Sequence, residues 1–126
     1  MPRPVPIALL AAAVLLALPA ATAAGRPAAH GAAAHTLRLA AVPGQFAFSR
    51  TRLTTTAGTV TLRMSNPASF SHGIAISGRG VRRSGPIVGQ GGTSRLTARL
   101  ARGTYTFFCP VSGHRAQGMR GTLTVR

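Results

Sequence analysis

From residue 36 to the last residue, short segments of alternating apolar and polar residues are separated by turn residues such as Pro43-Gly44. Alternation with a period of two places every second side chain on one face of a β-strand. The segments are 36–42, 45–49, 58–66, 73–77, 94–100, 103–109 and 121–126. Residues 78–92 are rich in glycine, and we predict mostly loop there. Seven or eight short strands without a convincing helix predict an all-β fold, a Greek-key β-sandwich or barrel.

The segment "LARGTYTFFC" carries a further structural signal at the start of its strand. Tyr105 follows Gly103 by two residues, which is typical of a tyrosine corner, whose hydroxyl bonds to the preceding turn. The alternative is that Tyr105 is an ordinary core side chain.

The composition limits the chemistry, because the 126 residues include no Asp or Glu and 15 basic residues, all of them arginine. Catalysis by paired carboxylates and a Ser-His-Asp triad are therefore excluded. Calcium and magnesium sites lose their main ligands. The remaining reactive set is four histidines, one cysteine, three methionines, one tyrosine and the hydroxyls, which favours a soft or borderline metal over hydrolysis. We expect no enzymatic activity.

The N-terminal residues 1–23 have the features of a secretory signal peptide. Arg3 precedes the apolar run Ile7 to Leu18, and Ala21-Thr22-Ala23 has the form of a cleavage site. The alternative is an uncleaved anchor, although the run is shorter than the roughly 20 residues of a spanning helix. Residues 24–35 resemble a flexible linker, and 36–126 form the folded domain. We expect an exported protein, located in the periplasm, at the cell surface or outside the cell.

The only cysteine, Cys109, is followed by His114 and Met119 at equal spacings of five residues. An unpaired cysteine outside the cytoplasm tends to oxidise, unless it is buried as an apolar side chain or bound to a metal. Two imidazoles and one thiolate, with a weak axial thioether, form the blue-copper site. His72, at the junction of two predicted strands, is the candidate for the second imidazole.

The segment "YTFFCPVSGHRAQGM", with "NPASFSH" upstream, resembles the cupredoxin family of small blue copper proteins. The Cys-x4-His-x4-Met spacing is most similar to rusticyanin and sulfocyanin. The resemblance implies a Greek-key sandwich, one type 1 copper ion and single-electron transfer between redox partners. It also implies equatorial ligands His72, Cys109 and His114 and an axial Met119. Many members have Asn or Ser after the first histidine to brace the cysteine loop, whereas this chain has Gly73.

The positive charge predicts anionic partners. We expect an anionic redox partner protein to dock near His114, steered by Arg115 and Arg120, and we expect a monomer. An anionic membrane or wall surface is a further expected partner. Nucleic acid is not expected, because the arginines are scattered and no recognition motif occurs.

Two alternatives remain at this stage. A copper carrier or scavenger would use the same four ligands, and the rate of copper exchange would distinguish it from an electron shuttle. His30 and His35 are expected to be solvated linker residues, with an accessory metal-capture site as the alternative.

Overall fold

A computed structural model describes residues 1–4, 25 and 34–126. Its eight strands are β1 (Ala34–Ala40), β2 (Arg52–Thr55), β3 (Gly58–Ser65), β4 (Ala75–Gly78), β5 (Val81–Ser84), β6 (Thr93–Leu100), β7 (Gly103–Phe108) and β8 (Arg120–Val125). Within these residues no helix is long and apolar enough to cross a membrane. The predicted signal peptide and linker, with His30, fall almost wholly outside the described residues and stay predictions.

The strands form two sheets, which confirms the predicted all-β sandwich. One sheet has three strands in the order β1-β3-β6, and the other has five in the order β2-β8-β7-β4-β5. The pairs β1–β3 and β2–β8 are parallel, and the remaining pairs are antiparallel. Alternation along the strands buries one face of each sheet, so Leu62 and Met64 of β3 meet Ile76 and Phe107 in a single core.

Two local predictions were wrong. First, β1 begins at Ala34, so His35 lies in this strand rather than in the linker, and its Nε2 is 2.8 Å from Thr56 Oγ1. Second, residues 45–49 do not form a strand, although Phe48 makes an isolated bridge with Ala41 and is buried. The glycine-rich segment 78–92 is mostly loop, as predicted, but it also contains β5, a short edge strand. Its exposed residues show no alternation, which is why the pattern did not predict it.

The tyrosine corner is confirmed. Tyr105 is buried, and its hydroxyl donates a hydrogen bond of 2.8 Å to the Ala101 carbonyl oxygen. This bond ties the turn between β6 and β7 to the core. It therefore fixes the start of the strand that leads to Cys109.

We expect Tyr105→Phe to lower the free energy of unfolding by about 1 kcal/mol, because the variant loses this hydrogen bond and keeps the buried ring. Urea denaturation measures the change. Thr104→Val is a matched control, since it removes an exposed hydroxyl from the adjacent residue of the same strand. Equal midpoints for Tyr105→Phe and the wild-type protein would contradict this role.

Candidate metal centre

Two loops at one end of the sandwich carry the predicted ligands. The first loop joins β3 to β4 and contains His72, and the second joins β7 to β8 and contains Cys109, His114 and Met119. Ala75 at the start of β4 pairs with Phe108 at the end of β7, and Phe108 also pairs with Arg120. The strand register therefore brings the two loops side by side.

The structure brings the two histidines and the cysteine together. Cys109 Sγ lies 3.9 Å from His72 Nδ1 and 3.6 Å from His114 Nδ1. These three atoms are all within 4.8 Å of one another. His72 and Cys109 are each 1% exposed, whereas His114 is half-buried. Among the described residues this is the one group of three such side chains that could hold a metal ion.

Met119 is fully buried beside the same group. The Cys109 N–H donates to the Met119 carbonyl oxygen at 3.0 Å, and the Met119 N–H donates to the His114 carbonyl oxygen at 3.1 Å. These two bonds close the loop at its base and fix the backbone of Met119 against both ligands.

The loop between Cys109 and Met119 is a series of tight turns. Gly113 and Gly118 have φ of 81° and 110°, a region that strongly favours glycine. The Gln117 N–H donates to the carbonyl oxygens of Gly113 and His114, each at 3.2 Å. The resulting compact turn directs the His114 ring back toward Cys109.

The backbone of His72 is held by two hydrogen bonds to Val88. The His72 N–H donates to the Val88 carbonyl oxygen at 3.1 Å, and the Val88 N–H donates to the His72 carbonyl oxygen at 2.8 Å. Burial, followed by the charge of His114, lowers the pKa of His72 from its usual value. The neutral imidazole is therefore favoured, which leaves a nitrogen lone pair free for a metal.

Asn66 is a residue of this site that the sequence analysis did not identify beyond its position at a strand end. It is 1% exposed, and its Nδ2 donates to the carbonyl oxygens of Phe70 and Val88, both at 2.9 Å. Its Oδ1 accepts from the Ala68 N–H at 3.1 Å. The side chain thus links the loop before His72 to the segment that pairs with it. The bond from Ala68 N–H to Asn66 Oδ1 forms an Asx turn, for which Asn is a favoured residue. The Asn66-Pro67 pair was therefore the sequence signal for this role.

Gly73, where many cupredoxins have a bracing side chain, is packed closely in this protein. A Cβ atom at this position would lie 3.2 Å from both Pro110 Cγ and the Pro86 carbonyl oxygen. The Pro110 ring, directly after Cys109, therefore contacts the residue directly after His72. The Pro110 ring thus packs against the position where many cupredoxins carry the bracing side chain.

The His114 ring lies in an aromatic cluster. Its centroid is 4.6 Å from that of Phe46 and 5.0 Å from that of His72. Phe46 in turn lies 6.2 Å from Phe70, whose side chain is 61% exposed. In the sequence, His114 is flanked by the small or apolar residues Pro110, Val111, Gly113 and Ala116. Phe46 and Phe70 come from distant segments, so only the fold adds them.

The donor set fits one copper ion of the type 1 kind. Thiolate and thioether are soft ligands that select copper, and imidazole is a borderline ligand that suits it. Asp and Glu are absent from the whole chain, so hard carboxylate ligands do not compete. Zinc would use the thiolate and imidazoles, but a thioether is a poor zinc ligand.

Comparison with known proteins agrees with this geometry. Residues 35–126 match the plastocyanin/azurin family of copper-binding proteins, and the chain belongs to this family. Sequence comparison with curated proteins gives no significant match. The nearer likeness to rusticyanin and sulfocyanin stays a prediction.

Several solved cupredoxins have similar structures. Auracyanin B has a TM-score of 0.66 and 25% identity, over 73% of this chain and 88% of that one. Auracyanin A, a blue copper protein of Chloroflexus aurantiacus, has a TM-score of 0.66 and 23% identity, over 75% of this chain and 100% of that one. Reduced auracyanin of Roseiflexus castenholzii has a TM-score of 0.65 and 24% identity, over 76% of this chain and 99% of that one.

We expect Asn66→Ala to lower the free energy of unfolding by about 2 kcal/mol, because the buried Ala68 N–H and the partly buried carbonyl oxygens of Phe70 and Val88 each lose a hydrogen bond. The variant should also release bound copper faster, since the His72 loop is no longer braced. Gln90→Ala is the control, because it removes one exposed hydrogen bond to Pro67 from the same region. A variant as stable as Gln90→Ala, with unchanged copper release, would contradict the bracing role.

Proposed function

We propose that this protein carries single electrons between redox partners on one type 1 copper ion. His72, Cys109 and His114 would hold the ion through two imidazoles and a thiolate, and Met119 would supply the weaker thioether ligand. The observation that carries the proposal is the convergence of three donor atoms within 4.8 Å, from two separate loops, at one end of a packed sandwich. Membership of the copper-binding plastocyanin/azurin family supports the identity of the metal.

Bound copper would supply a one-electron Cu(I)/Cu(II) couple. The protein's part is to keep its ligands in nearly one place in both oxidation states, which keeps rearrangement during electron transfer small. Cys109 and Met119 are joined by a backbone hydrogen bond, and His72 is held by two bonds to Val88. Because His72, Cys109 and Met119 are buried, the surrounding core resists their movement.

His114 is the proposed point of electron entry and exit. It is the one half-buried side chain among the four proposed ligands, and Phe46 and Phe70 extend an apolar surface beside it. An apolar surface with a protruding aromatic residue allows a partner to approach closely and exclude water. Electrons would therefore pass through the His114 ring rather than through the buried Cys109.

The burial of three of the four ligands favours an electron carrier over the alternative of a copper carrier. Release of the ion from this site would require the core around His72 and Cys109 to open. A shuttle should consequently lose its copper slowly to an added chelator, whereas a copper carrier would transfer it readily.

An oxidase activity is not proposed, because a second copper centre would need further clustered histidines. Outside the proposed ligands the chain has only His30 and His35. His35 lies in β1, at the end of the sandwich opposite the metal centre. We also propose export through residues 1–23 as a signal peptide, which places the redox partners outside the cytoplasm.

Addition of Cu(II) to the purified protein should produce an intense blue thiolate-to-copper absorption band. Cys109→Ser should abolish the band, because the thiolate is its electron donor. Met119→Leu should keep the colour and raise the reduction potential, because the axial ligand tunes the potential of such sites. Visible absorption and voltammetry measure these effects. A colourless wild-type protein would contradict the copper assignment, and loss of binding in Met119→Leu would contradict the axial role.

We further propose that Arg115 and Arg120 attract an anionic partner toward His114. The Arg115 guanidinium stacks 4.1 Å from the Phe108 ring centroid, and Arg120 Nη1 donates to the Arg115 carbonyl oxygen at 3.2 Å. Both side chains are exposed and are held beside the loop that carries His114. They therefore present positive charge at a fixed place.

Oxidation of the reduced protein by ferricyanide, an anion, should slow as salt rises, because salt screens this attraction. Arg115→Gln/Arg120→Gln should weaken the salt dependence more than the control Arg102→Gln/Arg126→Gln, which removes the same charge from the end of the sandwich opposite His114. Stopped-flow absorption of the blue band follows the reaction. A rate independent of salt, or equal effects of the two double variants, would contradict local steering.

A further inference from the structure

The outer face of the three-stranded sheet has an unusual composition. The outward positions of β1, β3 and β6 are, in four rows across the strands, Ala34–Thr59–Arg99, Thr36–Thr61–Thr97, Arg38–Arg63–Arg95 and Ala40–Ser65–Thr93. We call this surface the Arg/Thr face. It contains arginine, hydroxyl side chains and two alanines, and no large apolar residue. The face belongs to neither the metal centre nor the aromatic cluster around His114.

One row places three arginines directly opposite one another on adjacent strands. Arg63 in the central strand pairs with Arg38 on one side and with Arg95 on the other. Like charges in such cross-strand positions are destabilising. Arg50 Nη1, 3.5 Å from the Arg38 carbonyl oxygen, brings another cation to the same edge. With no Asp or Glu anywhere in the chain, no side-chain carboxylate of the protein can neutralise this row.

The hydroxyl groups beside the arginines are suited to the same kind of ligand. A shallow depression of about 220 Å³ is lined by Arg38, Arg63, Ser65 and Thr93, together with Leu39. Guanidinium groups bind phosphate with two parallel hydrogen bonds, and Ser and Thr hydroxyls also donate to phosphate oxygens. The next row holds Thr61 and Thr97, whose hydroxyl oxygens are 2.9 Å apart.

We propose that the Arg/Thr face docks the protein on the surface of an anionic phospholipid membrane. Lipid phosphates would lie between the guanidinium groups of Arg38, Arg63 and Arg95 and offset their mutual repulsion. An acidic protein is a poorer occupant, because stable protein interfaces centre on buried aromatic or aliphatic side chains, which this face lacks. The short polar side chains and arginine forks of this face instead match the phosphates of a lipid surface.

The position of the face agrees with this occupant. The loops of the metal centre lie at the end of the sandwich rather than on this face. Docking through the Arg/Thr face therefore leaves His114 free to meet a redox partner.

Binding of the full-length chain to vesicles tests the proposal, and it does not depend on copper. Arg38→Gln/Arg63→Gln/Arg95→Gln should weaken binding to phosphatidylglycerol-containing vesicles by roughly 100-fold at low salt. The control Arg52→Gln/Arg102→Gln/Arg126→Gln removes the same charge from exposed sites outside the face and should lose at most about threefold. Pure phosphatidylcholine vesicles measure the binding that does not depend on anionic lipid, which both triple variants share.

Equal losses in the two triple variants, or no loss in the first, would overturn the proposal. Tighter binding of the wild-type protein to a double-stranded oligonucleotide than to the anionic vesicles would also overturn it, in favour of nucleic acid. Because like-charge repulsion is removed, the first triple variant should melt at a higher temperature than the control. If it does not fold, the single variants Arg38→Gln, Arg63→Gln and Arg95→Gln decide: each should weaken vesicle binding several-fold more than Arg52→Gln.

Discussion

The pairing of β4 with β7 is the interaction on which the metal centre depends. Ala75 pairs with Phe108, so the register of these strands sets His72, three residues earlier, beside Cys109, one residue later. A shift of one residue would turn every side chain of β4 to the opposite face and separate the two ligands. The tyrosine corner at the start of β7 and the buried Ile76 and Phe107 oppose such a shift. The scaffold therefore positions His72 and Cys109 through the register of β4 and β7.

A second layer of contacts holds the ligands themselves, and here this chain differs from the common cupredoxin pattern. Asn66 bonds to the carbonyl oxygens of Phe70 and Val88, and Val88 in turn pairs with His72. Pro110 packs against Gly73 where a bracing side chain is usual. His72 is thus braced by Asn66, which precedes it in the chain, and by Pro110 of the cysteine loop. The side chain of the residue that follows the histidine has no part in this. Contacts of this kind tune metal affinity and potential.

Much of the fold and of the candidate ligand cluster could be predicted from the sequence, because both depend on local patterns. The alternation of apolar and polar residues predicts which strand residues are buried. The spacing of Cys109, His114 and Met119 predicts that the three lie in one loop. What the sequence did not reveal depends on long-range packing or on exposed strands. β5 lies at a sheet edge without an apolar side, and His35 joins β1 through pairing with β3. Phe46 and Phe70 reach His114 only because distant loops meet at one end of the sandwich.

The central claim is that a protein scaffold positions four side chains from two loops around one copper ion. Anomalous X-ray diffraction at the copper absorption edge, on crystals of the copper-loaded protein, tests it most directly. We predict one copper ion, seen as a single anomalous peak. It should be bound to Nδ1 of His72 and of His114 and to Sγ of Cys109, with the Met119 sulfur at a longer distance. A peak at other residues, or a copper ion without Cys109 among its ligands, would contradict the account.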